Sequence, residues 1–166
     1  TESLALERST SVSASFADVD GDGDADLYVT AVRSGNRLFV NGGDGRFTDL
    51  SAVSGLDYKG HSSAAVFFDY DRDGALDLFL ANVGVYTSDR RVPVSGAVAV
   101  DGRPLEYYRG VADAFSGHLY PERTETSRLF DNDGTGRFTD VSAERQLVDS
   151  GWTGDATPLD ADEDGW

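Results

Sequence analysis

The chain has 166 residues, the length of one domain and enough to bury a real core. Its 19 Gly, 4 Pro and 18 aromatic side chains read as globular and turn-rich, and zero Cys excludes disulfides, thiolate metal sites and a Cys nucleophile. The net charge of -16, from 14 basic and 30 acidic residues, repels nucleic acid and anionic lipid, and no apolar run approaches the ~20 residues of a membrane span.

From Thr1 the chain runs through a polar stretch with neither a basic start nor an apolar block, and it contains no Met. It therefore reads as a processed chain or an excised fragment. Residues 12–17 form the first expected strand and lead into an acidic loop, Asp18-Val-Asp-Gly-Asp-Gly-Asp-Ala-Asp26. Leu27 to Val32, rich in β-formers, leaves it as a second strand. A hairpin follows, Leu38–Val40 to Arg46–Thr48, turned by Asn-Gly-Gly-Asp-Gly, where glycine supplies the positive φ. Then the order repeats: a strand over 63–68, an acidic loop from Asp69 to Asp77, a strand over 78–83, and the hairpin element again from Leu129. A third loop starts at Asp160. No window longer than ten residues shows a convincing 3.6-residue apolar period, and 140–148 is at most one short turn of helix.

The spacings show that this is a true repeat. Leu38 to Asp69 and Leu129 to Asp160 are both 31 positions, whereas Asp26 to Leu38 is 12 and Asp77 to Leu129 is 52. One unit is thus about 51 residues of four short strands, and the second carries an insertion of 40 positions that falls within 84–127. Such units predict an all-β chain of propeller blades: blade 1 at 12–50, blade 2 at 63–141, and the start of blade 3 at 153–166. The insertion is expected to leave from the edge of the second sheet. A β-sandwich is the structural alternative, but it does not require such similar units.

Thirteen of the 30 acids fall in the three loops. They are either solvated acidic turns or metal sites, and the shared register favours metal. Positions 1, 3, 5 and 9 are Asp18, Asp20, Asp22 and Asp26 in the first loop and Asp69, Asp71, Asp73 and Asp77 in the second. The third has Asp160, Asp162 and Asp164 and stops before position 9. Gly23, Gly74 and Gly165 hold position 6, where the chain must turn sharply; Asp24, Ala75 and Trp166 at position 7 would offer a backbone carbonyl. Four carboxylates, a carbonyl and water make an all-oxygen set suited to Ca²⁺, which takes 6–8 oxygens in flexible geometry. Without Cys or nearby His, zinc and copper fit poorly. An EF-hand needs an acid at position 12, but Val29 and Leu80 stand there, inside strands.

These residues resemble the FG-GAP or VCBS-type repeats of integrin α-subunit propellers and their bacterial relatives. The element Leu-Phe-x-Asn-x-x-x-Gly-Arg-Phe-Thr-Asp-x-Ser is more narrowly similar to the ASPIC/UnbV and cartilage-acidic-protein group. The resemblance covers 12–83 and 128–166. It implies a seven-bladed propeller, secreted or surface-exposed, with Ca²⁺ bound between the first two strands of a blade. It also implies a module for adhesion or for binding protein or glycan, with Ca²⁺ structural. Two departures stand out: two full blades and the start of a third are present, and Asp24 is an additional acid where relatives vary.

Two readings of the insertion stay open. It holds 5 Arg and 6 acids with Tyr86, Tyr107, Tyr108, Phe115, His118 and Tyr120, which suits a binding loop. It can equally be a surface loop packed on its own blade. No nucleophile elbow, phosphate loop or hydrolase motif is present, and His61 reads as an inter-blade turn residue. The expectation is a non-enzymatic module, with the propeller domain of a secreted polysaccharide lyase or hydrolase as the alternative.

Overall fold

Strands form where apolar and β-branched residues alternate, and the loops break them where Asp and Gly cluster. In the computed structural model these segments are β1 (Ser11–Ala17), β2 (Asp26–Ala31), β3 (Arg37–Asn41) and β4 (Phe47–Asp49), followed by one helical turn, α1 (Ser51–Ser54). The second set is β5 (Ser62–Phe68), β6 (Asp77–Asn82), β7 (Thr87–Pro93), β8 (Glu106–Gly110), β9 (Arg128–Asn132) and β10 (Phe138–Asp140). The structure describes residues 4, 6, 9–96, 102–147, 149 and 151–162.

Two four-stranded antiparallel sheets result, ordered β1-β2-β3-β4 and β5-β6-β9-β10. The sequence repeat is a repeat of register. Phe16 pairs Leu27 as Phe67 pairs Leu78, Leu27 pairs Phe39 as Leu78 pairs Phe130, and Phe39 pairs Asp49 as Phe130 pairs Asp140. Each first strand also carries an irregularity near its start, between Ser11 and Ala14 and between Ser62 and Ala64. The chain is all-β with antiparallel four-stranded sheets, consistent with part of a β-propeller.

The sheets pack face to face. Tyr28 and Leu38 of the first meet Ala65, Leu78, Leu80 and Phe130 of the second in one buried cluster with Val19, Leu56 and Phe138. The Tyr28 and Phe67 rings meet edge to face at 6.1 Å, a geometry aromatic quadrupoles favour. Because side chains alternate across a strand, Leu27, Val29 and Phe39 form a second cluster on the other side of the first sheet. Every residue of β2 is buried, as an inner strand covered on both faces requires.

One expectation changes. The insertion does not leave from the sheet edge; it joins β6 to β9, the two central strands, because it interrupts the second-to-third strand connection of its unit. The single helical turn α1 follows β4, and residues 141–147, expected to hold at most one short turn of helix, form turns held by Arg145 N–H to Val141 O and Leu147 N–H to Ser142 O. No strand is assigned among the described residues of 153–162.

The insertion also has its own structure. Strands β7 and β8 pair into a separate hairpin, followed by 3₁₀ turns at Ala114–Leu119 and Pro121–Arg123. It is clamped at both ends. Glu125 bonds His61, which was expected in an inter-blade turn but forms a β-bridge with Val32 just before β5. Gly84 and Gly117 close around the Trp152 ring beyond β10.

Candidate metal centre

In the first loop, Asp18 at position 1 bends the chain around itself. Its Oδ1 accepts from Gly21 N–H and Asp22 N–H at 2.9 and 3.1 Å, and its Oδ2 from Gly23 N–H at 3.0 Å. Asp69 does the same in the second loop, accepting from Arg72, Asp73 and Gly74 N–H at 2.7, 3.2 and 3.0 Å. These bonds need position 6 in the left-handed region, and Gly23 and Gly74 adopt φ of +92° and +94° there with open space where a Cβ would stand.

Position 9 ties the loop to the sheet. Asp26 Oδ2 accepts from Val19 N–H at 2.9 Å and Oδ1 from Asn41 N–H at 2.8 Å; Asp77 accepts from Tyr70 N–H at 3.0 Å and Asn132 N–H at 2.8 Å. Both carboxylates are 1% exposed. Each oxygen keeps a second lone pair that could face a cation.

Carboxylate oxygens of Asp18, Asp20 and Asp22 lie within 4.8 Å of one another, as do those of Asp69, Asp71 and Asp77. Asp26 lies outside the first grouping and Asp73 outside the second. Asp73 Oδ1 accepts from Ala75 N–H at 2.8 Å, as Asp22 Oδ1 does from Asp24 N–H at 2.9 Å. The Asp24 side chain turns to the β3–β4 hairpin, where a Cβ on Gly43 would come 2.6 Å from its Oδ2. In the third loop Asp160 is half-buried and Asp162 exposed, and neither belongs to such a grouping among the described residues. Asp164, Gly165 and Trp166 lie outside the described residues.

The electrostatics ask for positive charge. Burial pushes the Asp20 carboxyl up, and Asp22 and Asp18 push it further. Burial raises Asp26, reinforced by Asp20 and Asp22, against the two backbone N–H bonds. Burial raises Asp77, reinforced by Asp71 and Asp131, again against two N–H bonds. Convergent hard oxygens, like-charge repulsion and an open position-6 turn fit an oxygen-coordinated divalent cation.

Sequence reasoning missed Asn41 and Asn132. Both stand in Leu-Phe-x-Asn at the end of the third strand, and each gives its backbone N–H to position 9 of its own loop. The repeated Asn was the available signal, but its distance from the loop hid the link.

A second polar cluster lies where insertion and sheets meet. His61 is 1% exposed; its Nδ1 is 2.6 Å from Glu125 Oε1 and its Nε2 2.8 Å from Thr87 Oγ1. Burial pushes the Glu125 carboxyl up, but bonds from the His61 ring and backbone outweigh it and hold the group below its ordinary value. The order hydroxyl, imidazole, carboxylate has the spacing of a hydrolytic triad. However, Thr87 is 7% exposed, and its Oγ1 already accepts from Arg33 Nε at 2.8 Å. The cluster fastens the insertion to the bridge residue just before β5.

A search of the curated proteins found no match, and a search of the solved structures found none. The family model described as FG-GAP-like repeat matches residues 18–80, from position 1 of the first loop into β6. That stretch of the chain is therefore similar to an FG-GAP-like repeat.

Proposed function

We propose that the chain is a calcium-binding, non-enzymatic propeller module that acts outside the cell in adhesion or in binding a protein or glycan. The observation that carries this reading is the hydrogen-bond pattern that the two acidic loops share at positions 1 and 9. In each, position 1 folds the loop on itself and position 9 is buried against the third strand. Solvated acidic turns need no such clamp. The bound ion would supply the positive charge that the clustered carboxylates lack.

The ligand set of the first loop is Asp18, Asp20, Asp22 and Asp26 with the Asp24 carbonyl, and that of the second Asp69, Asp71, Asp73 and Asp77 with the Ala75 carbonyl. Asp160, Asp162 and Asp164 begin a third. Partners dock on a propeller face or on the insertion, whose hairpin exposes Tyr107, Arg90 and Arg109 on a chain that is otherwise strongly acidic. The narrower kinship to the ASPIC/UnbV group belongs to the same reading.

Thermal unfolding tests it. A ligand bound only by the folded state adds about 2.7 kcal/mol per site at 100-fold excess over Kd. Ca²⁺ is therefore expected to raise Tm well above the value in chelator, with Mg²⁺ far less effective. Equal melting in Ca²⁺ and in chelator removes the metal reading.

A further inference from the structure

Asn132 does more than cap its own loop. It is 1% exposed and its side chain is fully used: Nδ2 donates to Val19 O at 2.8 Å and to Leu76 O at 3.0 Å, and Oδ1 accepts from Gly134 and Gly136 N–H, both at 3.2 Å. Val19 is position 2 of the first loop and Leu76 position 8 of the second. One amide group therefore holds loops belonging to different sheets. The linkage continues on either side. Val19 N–H donates to Asp26, position 9 of the first loop, and Asn132 N–H donates to Asp77, position 9 of the second. The turn carrying Asn132 also lies on the first loop, since a Cβ on Gly136 would come 3.5 Å from Asp20 Cβ.

Asn41 is the internal comparison. It donates its backbone N–H to Asp26 and its Nδ2 to Ala25 O at 3.3 Å, and among the described residues it makes no bond to another unit's loop. Asn132 repeats both of those bonds and adds the one to Val19.

We propose that Asn132 is a positioning residue that couples the two acidic loops, so that filling either raises the cation affinity of the other. The inference rests on the metal reading above. Ordering the first loop fixes the Val19 carbonyl and hence the Asn132 amide. The Asn132 backbone then holds Asp77 in place for the second loop, whose ordering cost is already partly met. Repulsion between two divalent ions acts the other way, and about 1 M KCl, with a Debye length of ~3 Å, screens the long-range part.

The test is Ca²⁺ titration calorimetry of the 166-residue chain in that salt, with four proteins: the parent, Asp69→Asn/Asp71→Asn, Asn132→Ala, and all three changes together. Disabling the second loop is expected to weaken the first about fivefold or more when Asn132 is present, and not at all when it is Ala. Asn41→Ala is expected to weaken the first loop but to leave that dependence in place. No binding by the parent would overturn the metal reading and the coupling together. Two independent ions, or the same dependence without Asn132, would overturn the coupling alone. Loss of the dependence in Asn41→Ala would reduce it to general loosening and overturn it too. If Asn132→Ala does not fold, amide exchange in Asp69→Asn/Asp71→Asn decides. Ca²⁺ at the first loop is expected to slow exchange at Tyr70 and Asn132, and unchanged rates there would overturn the proposal.

Discussion

Replacing Asp26 by Ala sets two effects against each other. The carboxylate accepts from two backbone N–H groups, Val19 at 2.9 Å and Asn41 at 2.8 Å, and Val19 is 2% exposed. Leaving a buried donor without a partner costs about 1–3 kcal/mol. Asn41 is half-buried, so water replaces part of its loss, and the pair together is worth about 2–4 kcal/mol. In the opposite direction, the substitution relieves a buried charge that Asp20 and Asp22 repel. Burial is the larger of the two raising effects, but protonation relieves it while keeping the carboxyl as an acceptor. Solvent screens the repulsion from those half-buried and exposed neighbours, and Ala removes both acceptors, so the lost hydrogen bonds win. Asp24→Ala is the control. The Asp24 backbone N–H keeps its bond to Asp22, and a change at this partly exposed side chain is worth within about 0.5 kcal/mol.

In chelator, Asp26→Ala is therefore expected to lower Tm by about 5–12 °C and Asp24→Ala by under about 2 °C. In Ca²⁺ the gap is expected to widen, because Asp26 is also a proposed ligand, whereas position 7 offers only a carbonyl that Ala keeps. Denaturation in each condition, with calorimetric Ca²⁺ titration, makes the comparison. Equal effects of the two substitutions, or a more stable Asp26→Ala in chelator, would refute the reasoning and the loop register with it.

Two further predictions concern the insertion. Gly84 has φ of +88°, and a Cβ there would come 2.5 Å from Arg123 O and 2.7 Å from Trp152 Nε1; Gly84→Ala is expected to cost about 2–3 kcal/mol in urea denaturation and to change Trp152 fluorescence. Glu125 has a depressed pKa, so its contribution is present above the ordinary glutamate value and is lost as pH falls through the folded one. Glu125→Gln is accordingly expected to be less stable than the parent at pH 7, with the difference closing in acid; a constant difference across that range would count against the His61–Glu125 clamp.

The repeat was legible in the sequence because local chemistry writes it. Asp and Gly at fixed positions mark the loops, alternation marks the strands, and a constant spacing of 31 positions shows that Leu38 and Leu129 do the same work. The grouping of Asp18 with Asp20 and Asp22 likewise follows from alternation over five residues. What the sequence could not show lies across long separations. Asn132 reaches Val19 over 113 positions, and Glu125 reaches His61 over 64, with no local pattern naming either partner. Those pairs meet only because the two sheets stack face to face and the insertion leaves between central strands. The sequence by itself determined the eight strands of the two repeats, their turns and the candidate ligands, which local spacing sets, but not the insertion's strands β7 and β8. The tertiary structure alone decided that the insertion is clamped at both ends and that the two loops share one buried amide, since burial and hydrogen-bond partnership depend on what the rest of the chain places alongside.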